Sequence, residues 1–488
     1  MVLAVQRPLV PFGVVSDWKR EILIFLVTWL LMLWPVAINR APFYASDSAS
    51  YLRGGELGFN TGVMMVDRWL RPPQPSHTTD PTKIVAVAIS KSGGARSAIY
   101  SVTAYLLRAP GNSLLALILV QAAAVAFMLC FLRRMIAPQS PLWVSLTAGA
   151  AVAILTSAAW STAYAMPDIL AGIMICAALL LTVFFDRIGT SLRIALVLSI
   201  AFCITAHGGN LLIAIPTLLA GGFASSRLKI DFGGTLGRTA WLASPIVLAV
   251  VAMLGTSYVA FGELSLSPKR YPILLARSVA DGPGAWYLHD HCATDQYAIC
   301  EVFGRDPPRS VHEFLWGENG VRNRATAEQM DRIRSEETKI VRQATFAYPI
   351  AQIGQSATNA LMQFFEFWPR ELEFGVRLVG SREDLMSINP DLPVLKTIGK
   401  LLVYASFIGS ILFLVLIRRR LLSSEVAALA VVAAGLLSNA AVCGVLSGVA
   451  GRYQGRVAWV LAAVAVMILL RVRGSRYGDA SIAKVTPA

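Results

Sequence analysis

Residues 21–38 read EILIFLVTWLLMLWPVAI, and they carry a single charge, Glu21. Wound as an α-helix, eighteen residues rise about 27 Å, close to the ~30 Å hydrocarbon core of a bilayer. No small-x-small cleavage site follows in WPVAINR, so the run is expected to stay as a membrane anchor rather than to be cut as a signal peptide. Comparable runs recur near 113–132, 142–159, 168–185, 191–206, 210–224, 240–260, 398–417, 425–443 and 457–471. The whole 488-residue chain is 56% hydrophobic and only 15% charged, with a mean hydropathy of +0.60. Soluble domains carry about 25% charged residues. The sequence therefore predicts an all-α polytopic membrane protein of about ten transmembrane helices.

Charge orients it. Lys19 and Arg20 precede the first run, and Arg133 and Arg134 follow the second. Arg187, Arg193, Arg227, Lys229, Arg238, Arg418–Arg420 and Arg471–Arg476 then fall on the same side if ten spans alternate. The short loops near 160–167 and 207–210 have no lysine or arginine. The positive-inside rule then puts both termini in the cytoplasm. The net charge of +14 reads as this bias plus basic groups facing anionic lipid, not as a nucleic-acid surface. No zinc-finger spacing, phosphate loop or dinucleotide fingerprint is present. The chain divides into an N-terminal membrane module, 1–260, with a first external loop at 39–112; an external segment, 261–397; and a C-terminal membrane module with its tail, 398–488.

Four of the six cysteines lie in spans, where a thiol is a small apolar group. Cys292 and Cys300 lie in the long external segment, where an oxidising compartment favours a disulfide over two free thiols. In the same segment the stretch 338–367 is interrupted by Pro349 and is too polar for a span. It predicts interfacial helices.

Just past the first run comes NRAPFYASDSASYLRGGE, residues 39–56. Ser46 or Asp47 suits a helix N-cap, the bland reading. On a helix, Tyr51 and Gly54 share a face with Asp47, Arg53 lies nearby, and Gly54 and Gly55 admit a ligand or another helix closely. An aspartate at a membrane mouth can serve as a base for a hydroxyl nucleophile or as a metal ligand. Further polar groups fall on the same side. Asp168 opens a span after Pro167, His207 sits in a tight Gly-rich turn, and Arg96 precedes a moderately apolar stretch, 98–107. GRYQGRVAW (451–459) brings Arg452, Tyr453 and Arg456 to the mouth of the last span. Those arginines either anchor the helix by snorkelling or hold a phosphate through their planar forks.

The stretches YASDSASYL, MPDILAG and GRYQGRVAW, set in this topology, resemble the GT-C superfamily of membrane glycosyltransferases that use polyprenyl-phosphate-linked sugars. The resemblance implies a GT-C-like fold in a bacterial inner membrane and transfer of a sugar from a polyprenyl-phosphate donor to an envelope acceptor, with Asp47 at the catalytic centre and Asp168, at the second acidic position, as the other catalytic residue. It further implies that Tyr51, Arg53, Arg96, His207, Arg452, Tyr453 and Arg456 bind substrate. The first loop lacks the paired acidic residues of metal-dependent members, so no metal and no other cofactor is expected. Three other classes stay open: a lipid or glycan transporter or flippase, an acyltransferase centred on His207, and a non-catalytic envelope-assembly protein. Transport predicts charges deep within spans, and the runs here are almost free of them.

Overall fold

The computed structural model describes residues 18–70, 96–108, 113–369, 372–379, 384–387 and 392–482. The first apolar run forms α1 (Trp18–Leu31) and, after a turn, α2 (Trp34–Asn39), with Pro35 in the first turn of α2, where its missing N–H costs nothing. Next come α3 (Ser46–Leu70), α4 (Ala98–Leu106), α5 (Leu115–Ile136), α6 (Leu142–Leu155) and the short α7 (Ala158–Thr162). They are followed by α8 (Ile169–Val183), α9 (Thr190–Ala206), α10 (Gly209–Arg227) and α11 (Gly234–Phe261).

Among the described residues, seven helical stretches are long and apolar enough to cross a membrane, a multi-pass helical arrangement: Trp18–Asn39 (α1 with α2), Leu115–Ile136, Gly209–Arg227, Gly234–Phe261, Pro393–Leu416, Ser423–Leu446 and Gly451–Arg473. The other three expected spans form apolar helices at the expected places, but shorter ones: Leu142–Leu155, Ile169–Val183 and Thr190–Ala206. All fifteen residues of α8 are buried, because α5, α9, α10 and the two last helices of the chain surround it.

Basic residues gather at one end of this bundle. Arg133 pairs with Glu21, Arg187 donates to the Met135 carbonyl, Arg238 donates to Ser226, and Arg471 pairs with the buried Glu425. At the opposite end, residues after α11 form a helical domain. It contains α12 (Ile273–Asp281), α13 (Pro283–Asp295), α14 (Ala298–Phe303), α15 (Val311–Leu315), α16 (Val321–Arg324) and α17 (Ala327–Ala347). These close on a separate core that includes Leu275, Val279, Leu288, Phe314, Ile333 and Ile340. The Cys292–Cys300 disulfide is formed, with Cα atoms 5.5 Å apart, and ties α13 to α14.

Pro349 breaks the next stretch as expected and begins α18 (Pro349–Phe365). Among the described residues the regular structure is helical apart from one antiparallel hairpin, β1 (Val376–Val379) and β2 (Asp384–Ser387), with Val376 opposite Ser387. The chain then re-enters the bundle as α19 (Pro393–Leu416), α20 (Ser423–Leu446) and α21 (Gly451–Ile482). The expected first loop, 39–112, is described as α3 and α4; its residues 71–95 and 109–112 lie outside the described residues, as do 1–17 and 483–488 at the two ends.

Candidate functional site

The site begins with a bend. Asn39 ends α2, and Arg40 takes a left-handed conformation (φ 56°) that turns the chain back over the helix ends. Phe43 then runs beside the segment that follows α7. Its N–H donates to the Ala163 carbonyl and its own carbonyl accepts from Ala165, both at 2.9 Å. Gln121, a single amide inside the apolar α5, braces that pairing by donating to the carbonyls of Thr162 and Tyr164, each at 3.1 Å. Its oxygen accepts from Tyr100 of α4 at 3.3 Å. One polar side chain within the bundle thus sets the first-loop helices against the segment that leads into Asp168.

Helix α3 carries Asp47 and Tyr51 one turn apart. The Tyr51 ring is buried edge-on against Tyr100, with centroids 5.0 Å apart, and the Arg96 guanidinium lies 5.8 Å from its centre. Burial pushes the Tyr51 phenol well above its usual pKa, a shift Arg96 partly opposes, so Tyr51 is a neutral hydroxyl. The glycines at 54 and 55 admit a helix: a Cβ on Gly55 would stand 2.0 Å from the Ser101 carbonyl oxygen of α4. This close contact holds Arg96, just before α4, opposite Asp47.

Two layers of charge result. In the outer layer Arg96 pairs with one oxygen of Asp47, while Arg452 stands 3.6 Å from the other. All three side chains are partly exposed, at 37%, 20% and 18% for Arg96, Asp47 and Arg452. In the inner layer Arg456 and Asp168 are buried, 3.9 Å apart. Arg456 Nε and Nη2 donate to Asn439 Oδ1 at 3.1 and 3.0 Å, but its buried Nη1 has no hydrogen-bond partner. Asn439 is itself anchored, donating to the Tyr453 carbonyl at 2.7 Å and to Gln454 at 2.8 Å. Arg452 and Arg456 lie one turn apart on α21, both against the Tyr453 ring at 5.0 and 5.6 Å. The first turn of α21 is pinned because a Cβ on Gly451 would fall 1.7 Å from the Trp368 carbonyl oxygen. Gln363 also exchanges two hydrogen bonds with Ala450, each at 2.9 Å.

Asp47, Tyr51, Arg96, Asp168, Arg452, Tyr453 and Arg456 therefore meet at one end of the bundle. His207 joins them at the end of α9. Its Nδ1 is buried without a hydrogen-bond partner, and burial together with the charges of Arg456, Arg452 and Arg96 pushes its pKa down to about 3. It is a neutral imidazole at physiological pH. Arg53 is different: it is exposed, on the face of α3 turned away from Asp47. Asp168 sits at the N-cap position of α8 but makes no capping bond; its carboxylate faces Arg456 instead. Among the described residues, no three histidine, cysteine, aspartate or glutamate side chains come together as a metal-binding set.

Three contributors escape a charge-based reading of the sequence: Gln121, Asn439 and Tyr100. The first two had a signal, a lone amide in a span, which hydrocarbon disfavours unless it is satisfied inside the protein. No family model, no curated protein and no solved structure matches this chain.

Proposed function

We propose that this protein is a GT-C-like membrane glycosyltransferase of the bacterial inner membrane. In this reading it moves a sugar from a polyprenyl-phosphate donor to an envelope glycan, lipid or protein acceptor on the periplasmic side. One observation carries the proposal: two carboxylates from distant segments converge with three arginines at the end of an apolar helical bundle. Such a place suits a substrate with an anionic head and a lipid tail. The basic residues at the opposite end support a topology of ten spans, with α6, α8 and α9 as the short ones and both termini cytoplasmic.

The chemistry follows from the two layers. Asp47 is the accessible carboxylate, and both of its oxygens face arginines. An arriving lipid phosphate competes for Arg96 and Arg452 through the same forked geometry, and each bond it takes releases Asp47. The freed carboxylate accepts the proton of the acceptor hydroxyl as that oxygen attacks the anomeric carbon. The bond from the sugar to the phosphate oxygen breaks, and the growing charge on the phosphate is met by Arg96 and Arg452. Asp168 and Arg456 stay buried and hold the inner wall. The test is direct: purified protein is offered a panel of polyprenyl-phosphate sugars with envelope-derived acceptors. Transfer that requires the lipid-linked donor supports the reading; binding without transfer across the panel counts against it.

A further inference from the structure

Helix α18 is amphipathic in the wrong sense for water. Its seventeen residues, PIAQIGQSATNALMQFF, contain no charged side chain. The outward face is apolar: Ile350 is 87% exposed, Ile353 68%, Leu361 61%, Met362 56% and Phe365 59%. Thr358, a polar residue on that face, returns its hydroxyl to the Gly354 carbonyl at 2.9 Å. The polar side chains point inward. Gln352 and Asn359 donate to the buried Asp281 carboxylate at 3.3 and 3.0 Å, and Gln363 bonds Ala450. A helix at an aqueous surface places these two sets the other way round.

Its surroundings say what covers the apolar face. α18 packs along α20, one of the helices long enough to span, and approaches so closely that a Cβ on Gly444 would lie 2.6 Å from the Asn359 carbonyl oxygen. Its outer face is therefore continuous with a spanning helix that also exposes apolar groups, Leu437 among them. At the start of α18, Trp286 and Tyr348 meet edge to face with centroids 5.3 Å apart. The Tyr348 hydroxyl donates to the exposed Asp290 at 3.2 Å. Rings with an apolar body and one polar tip belong at the headgroup level. The order is thus a carboxylate in water, an aromatic pair at the boundary, then an uncharged apolar face.

We infer that α18 is immersed in the bilayer leaflet beside the helical domain, with Ile350, Ile353, Leu361, Met362 and Phe365 against acyl chains. The helix anchors the domain to the membrane, and its inward polar face holds the turn before Arg452. This inference does not depend on the glycosyltransferase reading, because its test measures no transfer.

The full-length protein is reconstituted in lipid nanodiscs with single added cysteines, Ile353→Cys and Met362→Cys, each labelled with a bimane fluorophore. Arg305→Cys, exposed on the helical domain, is the aqueous reference. The unsubstituted chain gives the background from native thiols. Doxyl-labelled phosphatidylcholine is expected to quench the labels at 353 and 362 at least threefold more than aqueous iodide does, with the reverse at 305. Iodide quenching at 353 and 362 equal to that at 305 overturns the inference. So does protection from both quenchers, which would mean that protein covers the face. Ile350→Cys, at 87% exposure, is a further position with little packing to lose should either variant fail to assemble.

Discussion

Asp47→Asn separates a catalytic carboxylate from a structural one. The substitution keeps the shape and the capping ability of the side chain, since asparagine caps helices about as well as aspartate. What it removes is the base and the charge between Arg96 and Arg452. Those ion pairs are partly exposed, with Asp47 at 20% and Arg96 at 37%, so solvent screens them. Pairs of that kind contribute about 0–1 kcal/mol to stability. Loss of general-base catalysis costs about 10²- to 10⁴-fold in rate. The expected variant therefore folds, melts within a few degrees of the parent, and transfers sugar at least ~10²-fold more slowly, mainly through kcat. The assay is transfer from the best lipid-linked donor, run beside a thermal melt in detergent. Asp168→Asn makes an instructive contrast. It strands the fully buried Arg456, and breaking such a pair costs about 3–5 kcal/mol, so its melt falls as well. Near-parent transfer by Asp47→Asn refutes the assignment of the base.

The remaining expectations follow from packing, burial and topology. Asn439→Ala removes the acceptor of two Arg456 bonds inside the bundle and is expected to lower stability by about 3 kcal/mol, read from thermal melts; a loss under 1 kcal/mol contradicts the anchoring role. Gly55→Ala drives a methyl into the Ser101 carbonyl and is expected to cost about 1–3 kcal/mol, whereas Gly62→Ala, with nothing within 4 Å, is neutral or stabilising; equal melts for the two contradict the α3–α4 contact. His207 has a folded pKa near 3, below its ordinary value of about 6.5, so the unfolded chain binds the extra proton as pH falls below 6.5. Its contribution is present above that pH and is lost on acidification, about 2 kcal/mol by pH 5; His207→Gln should show a shallower loss of stability between pH 7 and 5, and parallel curves refute the point. Reporter fusions after residues 134, 229 and 420 are expected on the cytoplasmic side and those within 270–330 on the other; a cytoplasmic 270–330 overturns the orientation.

Much of this molecule was legible in composition and period. Among the described residues, seven helices long and apolar enough to cross a membrane and three shorter apolar ones lie where ten apolar runs stand, because an apolar medium forces every backbone group into a helix and so writes helix positions into hydropathy. Length was less legible: α6, α8 and α9 are shorter than the other apolar helices; α8 is wholly enclosed by its neighbours, and α6 gives way after Leu155 to a bend and the short α7. Pro349 and the Cys292–Cys300 pair were readable for the same reason, each being a local constraint. The hairpin of Val376–Val379 with Asp384–Ser387 was not foreseen, for four-residue strands give little periodic signal.

The sequence by itself determined which residues would be apolar and helical, and which polar groups would stand at helix ends. Tertiary structure alone decided that Asp47 meets Arg96 and Arg452 while Asp168 meets Arg456, and that Arg53 points away. Hydropathy records the medium around each residue, and that is a local property. Partnership depends on contacts between segments far apart in the chain: Phe43 beside Ala163, Gln121 under Tyr164, Asn439 beneath Arg456. Each of those contacts rests on one amide or one backbone pairing, too little chemistry to leave a pattern along the chain and enough, once buried, to place every charge in the site.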